Sequence, residues 1–413
     1  MRALISIIVG IALLAPAGAA QAQSESDLKR ELAAHMGAAG ASSGAFVVNT
    51  STSRRVFAWN PGKPRILASN TKLFTTATAL ARFGTDGTLG TEVLGTGTLR
   101  TGGVWRGNLY LRGGGDPSFS SRSFGRRAYG GRVATVEALA KRIDMAGFTR
   151  ITGRIVGDES NFDSRRGGPE SGFGVSPYVG PLSAMALNRG LADERGFSYQ
   201  SDPPAYAAAR LAAALERRGI DVTRKAISGR TPGGADVVAS VSSPPMARLV
   251  ALTNKPSDNF FAEMLIKAIG WQATGLGTTA SGARRVAGFA RRLGAKARIR
   301  DGSGLSRGNR AAPRRVVRLL RAIQARDEFD AFSGSLAIAG RDGTLSDRMR
   351  SGPARGHCRG KTGTLSNVSA LSGYCRARSG DVYAFSILMN NVSPTGARSL
   401  QDRMAQAIAA VRG

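Results

Sequence analysis

Histidine is nearly missing from this chain. Its 413 residues include two, His35 and His357. Neither has companions that would build a Ser-His-Asp set, and two isolated histidines do not make a metal centre. No metal and no cofactor is therefore expected. Cysteine is as scarce, with only Cys358 and Cys375, and their spacing is not that of a zinc site. Acidic residues are few: 28, against 58 basic ones, for a net charge of +30. Lysine is rare even among the basic residues, nine in all, so arginine carries most of the charge. Beyond the first residues no stretch is long and apolar enough to span a bilayer, so no transmembrane anchor is expected.

The opening residues read as a targeting segment. Arg2 gives a positive start, residues 3–14 are apolar, Pro16 follows, and Ala20-Gln21-Ala22 is an A-x-A cleavage site. Residues 1–22 are expected to be a signal peptide, and no cysteine follows to take a lipid. The mature protein is then exported, either periplasmic or associated with the cell wall, and disulfides are permitted there. About 390 residues remain, enough for two or three domains, with a charge of +29 once Arg2 is lost. A GC-rich genome alone yields much arginine, but the physical consequence is the same. Such a surface attracts polyanions in a salt-dependent way, and outside the cytoplasm these are anionic wall polymers and lipid headgroups. Nucleic acid is not expected, because no zinc spacing, RNP-like motif or basic helix supports it.

The mature chain opens with a helix over 28–36 and a hairpin of strands at 44–49 and 55–60. A helix over 69–82 follows, with apolar residues at helical spacing and Gly84 as its stop. From about 90 to 243 the texture changes to short strands and glycine-rich turns. Strands are expected at 104–111 and 151–158, with helices at 136–145 and 205–219. Gly113-Gly114-Gly115-Asp116-Pro117 lacks the lysine and following helix of a phosphate loop and reads as a tight turn. Helices return at 246–252, 260–269, 284–293 and 314–325. Strands at 359–365, 368–375 and 382–390 and a helix at 396–411 end the chain. The expected class is a mixed α/β (α+β) fold. Both ends join one antiparallel sheet flanked by helices, and a cleft separates that sheet from an all-helical region. Residues 23–89 and 244–413 form this discontinuous domain, with 90–243 as an inserted α/β domain. A two-residue turn at Ser366-Asn367 would set Cys358 directly opposite Cys375, close enough to bridge.

Ser69 and Lys72 lie three apart and share one helix face. A serine beside an amine is a candidate nucleophile with its own base, and the shortage of histidine favours lysine in that role. Two further motifs accompany them. Ser257-Asp258-Asn259 lies in a turn before a helix, and Lys361-Thr362-Gly363-Thr364 lies on the strand before the hairpin turn. The set resembles the S-x-x-K, S-D-N and K-T-G motifs of penicillin-binding proteins and class A β-lactamases. That resemblance implies a transpeptidase-like fold and a role for each residue. Ser69 attacks a carbonyl. Lys72 takes its proton, with a pKa lowered towards neutrality by burial and by Lys361. Ser257 and Asn259 relay protons and hold the peptide, and Asp258 belongs to the substrate-binding set. Lys361 and Thr362 supply a charge and a hydroxyl for a substrate carboxylate. Gly363 lets substrate lie along the strand, and the amides of Ser69 and Thr364 stabilise an oxyanion.

With Gly113–Pro117, the continuation Phe260-Phe261-Ala262-Glu263 and Asp301-Gly302-Ser303-Gly304-Leu305-Ser306, the chain resembles the D-alanyl-D-alanine carboxypeptidase/endopeptidase family of class C penicillin-binding proteins, peptidase family S13. The 188 positions between Ser69 and Ser257 suit that family's insertion, in less than its fullest form. The resemblance implies peptidoglycan stem peptides and cross-links as substrates and β-lactams as acylating inhibitors. Two other functions share some of these features. A class A-like β-lactamase needs a water-activating glutamate, and Glu263 and Glu328 lie in helical text instead. A non-catalytic basic wall-binding protein would not need every motif residue intact. For Asp301–Ser306 the favoured reading is a glycine-supported turn, with a loop near the cleft as the alternative.

Overall fold

The two ends of the chain meet in one six-stranded antiparallel sheet. The computed structural model describes residues 24–193, 196 and 198–412; the expected signal peptide lies outside them. Strand order across the sheet is Ala337–Ile338, Cys358–Leu365, Val368–Arg376, Val382–Asn390, Gly44–Asn49 and Arg54–Trp59. The first hairpin pairs with the last strand, Gly44 opposite Leu388 and Asn49 opposite Tyr383.

The Val382–Asn390 strand shows why this sheet sits in the middle. Its side chains alternate between faces. Tyr383, Phe385, Ile387 and Met389 enter the core beneath the terminal helices, Glu25–Ala38 and Pro394–Ala410. Ala384 and Leu388 enter the core of the helical region on the other face. With both faces covered, the strand reads as an almost continuous apolar run. The helical region centres on Thr71–Phe83, buried on all sides from Thr71 to Leu80, with Met246–Asn254, Asn259–Thr274 and Thr279–Arg292 packed around it. Among the described residues no helix is long and apolar enough to cross a membrane.

Residues 90–242 build two further sheets, five- and four-stranded, around the helices Val136–Met145 and Pro203–Glu216. Here two expected strands each split. Val104–Arg106 and Arg150–Ile151 pair in the smaller sheet, whereas Leu109–Gly113 and Ile155–Asp158 pair in the larger. Both segments jog at the same level. Gly107 has a φ of +135°, and a Cβ on Gly153 would stand 2.3 Å from the Gly107 carbonyl. Two glycines let the neighbouring chains change sheets side by side. The helices Arg122–Tyr129 and Phe329–Gly334 were not anticipated; both are short, and the first is rich in arginine.

The strand-rich segment does not stand wholly apart. Phe124, Tyr129, Phe162, Val179 and Leu182 pack into the core of the helical region. The glycine run is not itself the expected turn: Gly113 ends the Leu109–Gly113 strand, and the tight turn follows at Asp116–Phe119, where Asp116 accepts from the Ser118 amide and hydroxyl. The hairpin over Ser366-Asn367 has the expected register, and Cys358 and Cys375 are disulfide-bonded with Cα atoms 4.0 Å apart. The bridge closes a loop with a sequence separation of 17 in the core under the C-terminal helix. Replacing both cysteines by serine is expected to lower unfolding free energy by about 3 kcal/mol, read from denaturant midpoints. An unchanged midpoint would contradict a structural role for the bridge.

Candidate active site

Ser69 is not on a regular helix. It sits in a 3-10 turn, Ala68–Asn70, that feeds directly into the Thr71–Phe83 helix. Ala68 adopts a φ of +47°, a conformation a side chain resists. A neighbouring glycine accommodates this turn. Gly304 has a φ of +92°, and a Cβ there would fall 1.8 Å from the Ala68 carbonyl oxygen.

Lys72 lies one turn into the helix, fully buried. Its Nζ is 2.9 Å from Ser69 Oγ, 2.7 Å from Asn259 Oδ1 and 2.7 Å from the Ser303 carbonyl. Those three acceptors match the three protons of an ammonium. Burial nevertheless pulls its pKa down to about 8, while Asp258, Asp301 and Glu263 push back. Burial acts as expected, but the charges that bear on Lys72 are these carboxyls and not Lys361. Repulsion between the two lysines acts on Lys361, which burial and then Lys72 hold well below the ordinary lysine range. Lys361 is itself enclosed and donates to the Thr362 carbonyl at 3.0 Å, while Asn70 Nδ2 donates to the Lys361 carbonyl at 2.9 Å.

The Ser257-Asp258-Asn259 segment turns sharply into the Asn259–Thr274 helix. Ser257 has a φ of +63° and lines the cleft with Asn259. Asn259 reaches in both directions, accepting from Lys72 and donating through Nδ2 to the Tyr178 carbonyl at 3.1 Å. Asp258 is not among the cleft-lining residues. It caps the helix by accepting from the Phe261 amide at 2.9 Å, and it pairs with Arg189 at 2.6 Å. Its carboxylate is committed to the cap and the ion pair.

The Cys358–Leu365 strand forms the opposite wall. The short Ala337–Ile338 strand covers only Arg359 and Gly360, so among the described residues the edge from Lys361 onward has no strand partner on that side. A Cβ on Gly363 would stand 3.0 Å from the Ser69 nitrogen, so the strand runs directly past the serine. Thr362 Oγ1 lies 2.7 Å from Thr344 Oγ1, and Thr364 Oγ1 accepts from Arg398 at 3.1 Å. The cleft measures about 1060 Å³ and is lined by Ser69, Ser257, Asn259, Thr362, Gly363 and Thr364 together with Arg348, Arg398 and the 170–178 segment.

The 301–306 segment is both a turn and a cleft wall, so neither reading of it stood complete alone. Gly304 and Leu305 line the cleft, and the Ser303 carbonyl holds Lys72. Two buried carboxyls shape it from behind. Glu263 Oε1 accepts from the Gly302 and Ser303 amides at 3.0 and 2.8 Å. Asp301 accepts from the Gly304 and Ser306 amides, each at 2.7 Å. Burial pushes both acids above the usual carboxylate range. Glu263 is thus enclosed under the loop, Glu328 pairs with Arg326, and the acid that lines the cleft is Glu170.

A serine beside a buried, low-pKa lysine, with an open strand edge alongside, defines a serine acyl-transfer enzyme. The D-Ala-D-Ala carboxypeptidase 3 (S13) family model matches residues 26–195 and 192–411. The chain belongs to that family. It is 29% identical over 456 aligned residues to a D-alanyl-D-alanine carboxypeptidase of Actinomadura sp. (strain R39), covering 91% of this chain and 82% of that one. It is 30% identical to carboxypeptidase DacB of Mycolicibacterium smegmatis over 84% of this chain and 76% of that one. Among solved structures, penicillin-binding protein 4 of Haemophilus influenzae shares the fold, with a TM-score of 0.74 at 21% identity over 92% of this chain and 99% of that one.

Gly304→Ala tests the packing behind Ser69. The variant is expected to lose roughly 1–3 kcal/mol of stability, the cost of a side chain in the left-handed region, and to acylate more slowly with penicillin. Wild-type stability and acylation rate together would contradict the close approach of Gly304 to Ala68.

Proposed function

We propose that this serine-type D-Ala-D-Ala carboxypeptidase/endopeptidase works through an acyl-enzyme on Ser69. The carrying observation is the contact of a fully buried Lys72 with Ser69 Oγ at 2.9 Å. Neutral Lys72 takes the hydroxyl proton as Ser69 attacks the carbonyl between the two D-alanines. The amides of Ser69 and Thr364 hold the developing oxyanion. Ser257 passes the proton to the departing amine, and Asn259 orients Lys72 from the other side. The C–N bond breaks, the terminal D-alanine leaves, and water then releases the acyl group. The stem peptide lies along the open edge beyond Gly360 as an added strand. Cross-linked peptides enter by the same route. A β-lactam acylates Ser69 as its ring amide opens, and its amine stays attached.

We further propose that residues 23–89 and 244–413 act as the peptidase domain and 90–243 as an insertion that also furnishes one cleft wall through 170–178. The protein acts outside the cytoplasm, in the periplasm or against the wall. Its surplus positive charge attracts anionic envelope polymers. Arg82, Arg284, Arg285, Arg291, Arg292 and Arg326 line one concavity of about 800 Å³, which gives that attraction a local focus.

Ser69→Ala separates chemistry from adhesion. The variant is expected to release no D-alanine from a D-Ala-D-Ala peptide and to gain no mass from benzylpenicillin, while wild type gains one penicilloyl group at Ser69. Both proteins should bind wall fragments alike, with binding that falls sharply from low to moderate salt. D-alanine release by the variant at the wild-type rate would contradict the nucleophile; salt-insensitive binding would contradict the polymer interaction.

A further inference from the structure

A D-Ala-D-Ala substrate ends in a carboxylate one residue beyond the bond that is cut, so the cleft must meet a negative charge there. Lys361 is badly placed to do so. It is wholly enclosed, its Nζ is turned onto the Thr362 carbonyl, and it is absent from the cleft lining. Burial and the neighbouring Lys72 also disfavour its charge. The basic residues that line the cleft are Arg348 and Arg398.

These two arginines are not equivalent. Arg348 is already neutralised by Asp402 at 2.7 Å, and its guanidinium also donates to the Arg398 carbonyl and to Gln401 Oε1, both at 3.3 Å. It ties the Pro394–Ala410 helix to the loop before the Cys358–Leu365 strand. Arg398 rides on that helix, and among the described residues it has no carboxylate partner. Its Nη2 donates to Thr364 Oγ1 at 3.1 Å. Thr364 adjoins Gly363, which abuts the Ser69 nitrogen. An uncommitted guanidinium therefore stands beside the strand next to the nucleophile.

We propose that Arg398 recognises the carboxylate of the departing D-amino acid, with Thr364 as its hydroxyl partner and Arg348 as a positioning residue. The inference rests on the peptidase function above and assigns the charge recognition within it. A planar guanidinium can grip a carboxylate through two parallel hydrogen bonds while still touching Thr364. Arg348 holds the backbone carbonyl of Arg398, so little backbone freedom is lost when substrate arrives.

Two thioesters separate this from a general effect on the site. One is N-benzoyl-D-alanyl-thioglycolate, whose leaving group ends in a carboxylate; the other is its neutral thioglycolamide. Wild type is expected to prefer the carboxylate. Arg398→Ala should lower kcat/KM for the carboxylate thioester by roughly 10- to 100-fold, the worth of a charge-assisted hydrogen bond. It should leave the neutral thioester near its wild-type value, which also shows that the variant is folded. Arg398→Lys should recover part of the preference. Equal losses on both thioesters, or no loss on either, in both variants would overturn the proposal. A wild type that hydrolyses neither would overturn the peptidase function and this proposal with it.

Discussion

An amine that water would otherwise solvate is enclosed completely at Lys72, and the site is organised around that cost. Moving an ammonium out of water is expensive unless its protons find acceptors. Three acceptors converge on Nζ: Ser69 from the adjoining turn and, from distant parts of the chain, Asn259 and the Ser303 carbonyl. They soften the desolvation without cancelling it, and the pKa settles at about 8. That compromise is what a general base near neutral pH requires. The buried carboxyls Glu263 and Asp301 serve the same end. They hold the amides of Gly302, Ser303, Gly304 and Ser306 and so shape the loop whose Ser303 carbonyl meets Lys72, while Asp258, Asp301 and Glu263 oppose the pull of burial on the Lys72 pKa.

Convergence of that kind demands backbone that ordinary residues avoid. Ala68 and Ser257 both take positive φ, each next to a chemical group it aims. Gly304 and Gly363 stand where any side chain would strike the turn that carries Ser69. Strain of this sort persists only where surrounding packing enforces it. Here the enforcement comes from a helix buried on all sides and from a sheet covered on both faces. The cleft's chemistry and the depth of the core are thus one design.

Much of this was legible in the sequence, and the reason is periodicity. The last three strands, the hairpin register and the opposed cysteines follow from alternation and one two-residue turn. Helix spacing located Thr71–Phe83 and its glycine stop, and the three motifs brought Ser69, Lys72, Ser257, Asn259 and the Lys361–Thr364 strand together. What escaped was set by tertiary contact. The jog at Gly107 and Gly153 depends on two chains crossing side by side, which neither segment reveals alone. Asp258 sits inside a motif, yet its carboxylate caps a helix and pairs with Arg189. Glu263 and Arg398 matter through partners 39 and 34 positions away, which no local pattern gives, whereas Asp301 works inside its own turn on an amide 3 positions on. Lys361 carries a motif lysine whose charge the interior suppresses, and that is visible only once its burial is known.

The central claim is that Lys72 is the base and works as a neutral amine. A group whose folded pKa is lowered from 10.5 to about 8 is protonated and unable to accept below that pH, and free to accept above it. The direct test is the second-order rate constant for acylation by benzylpenicillin across pH 6 to 10. The account predicts a rate that climbs with pH and levels off above a limb near 8, and a loss of that acylation in Lys72→Arg, whose guanidinium stays charged. A rate that is flat across this range, or one still climbing without levelling at pH 10, as the ordinary lysine value of 10.5 would give, would contradict it.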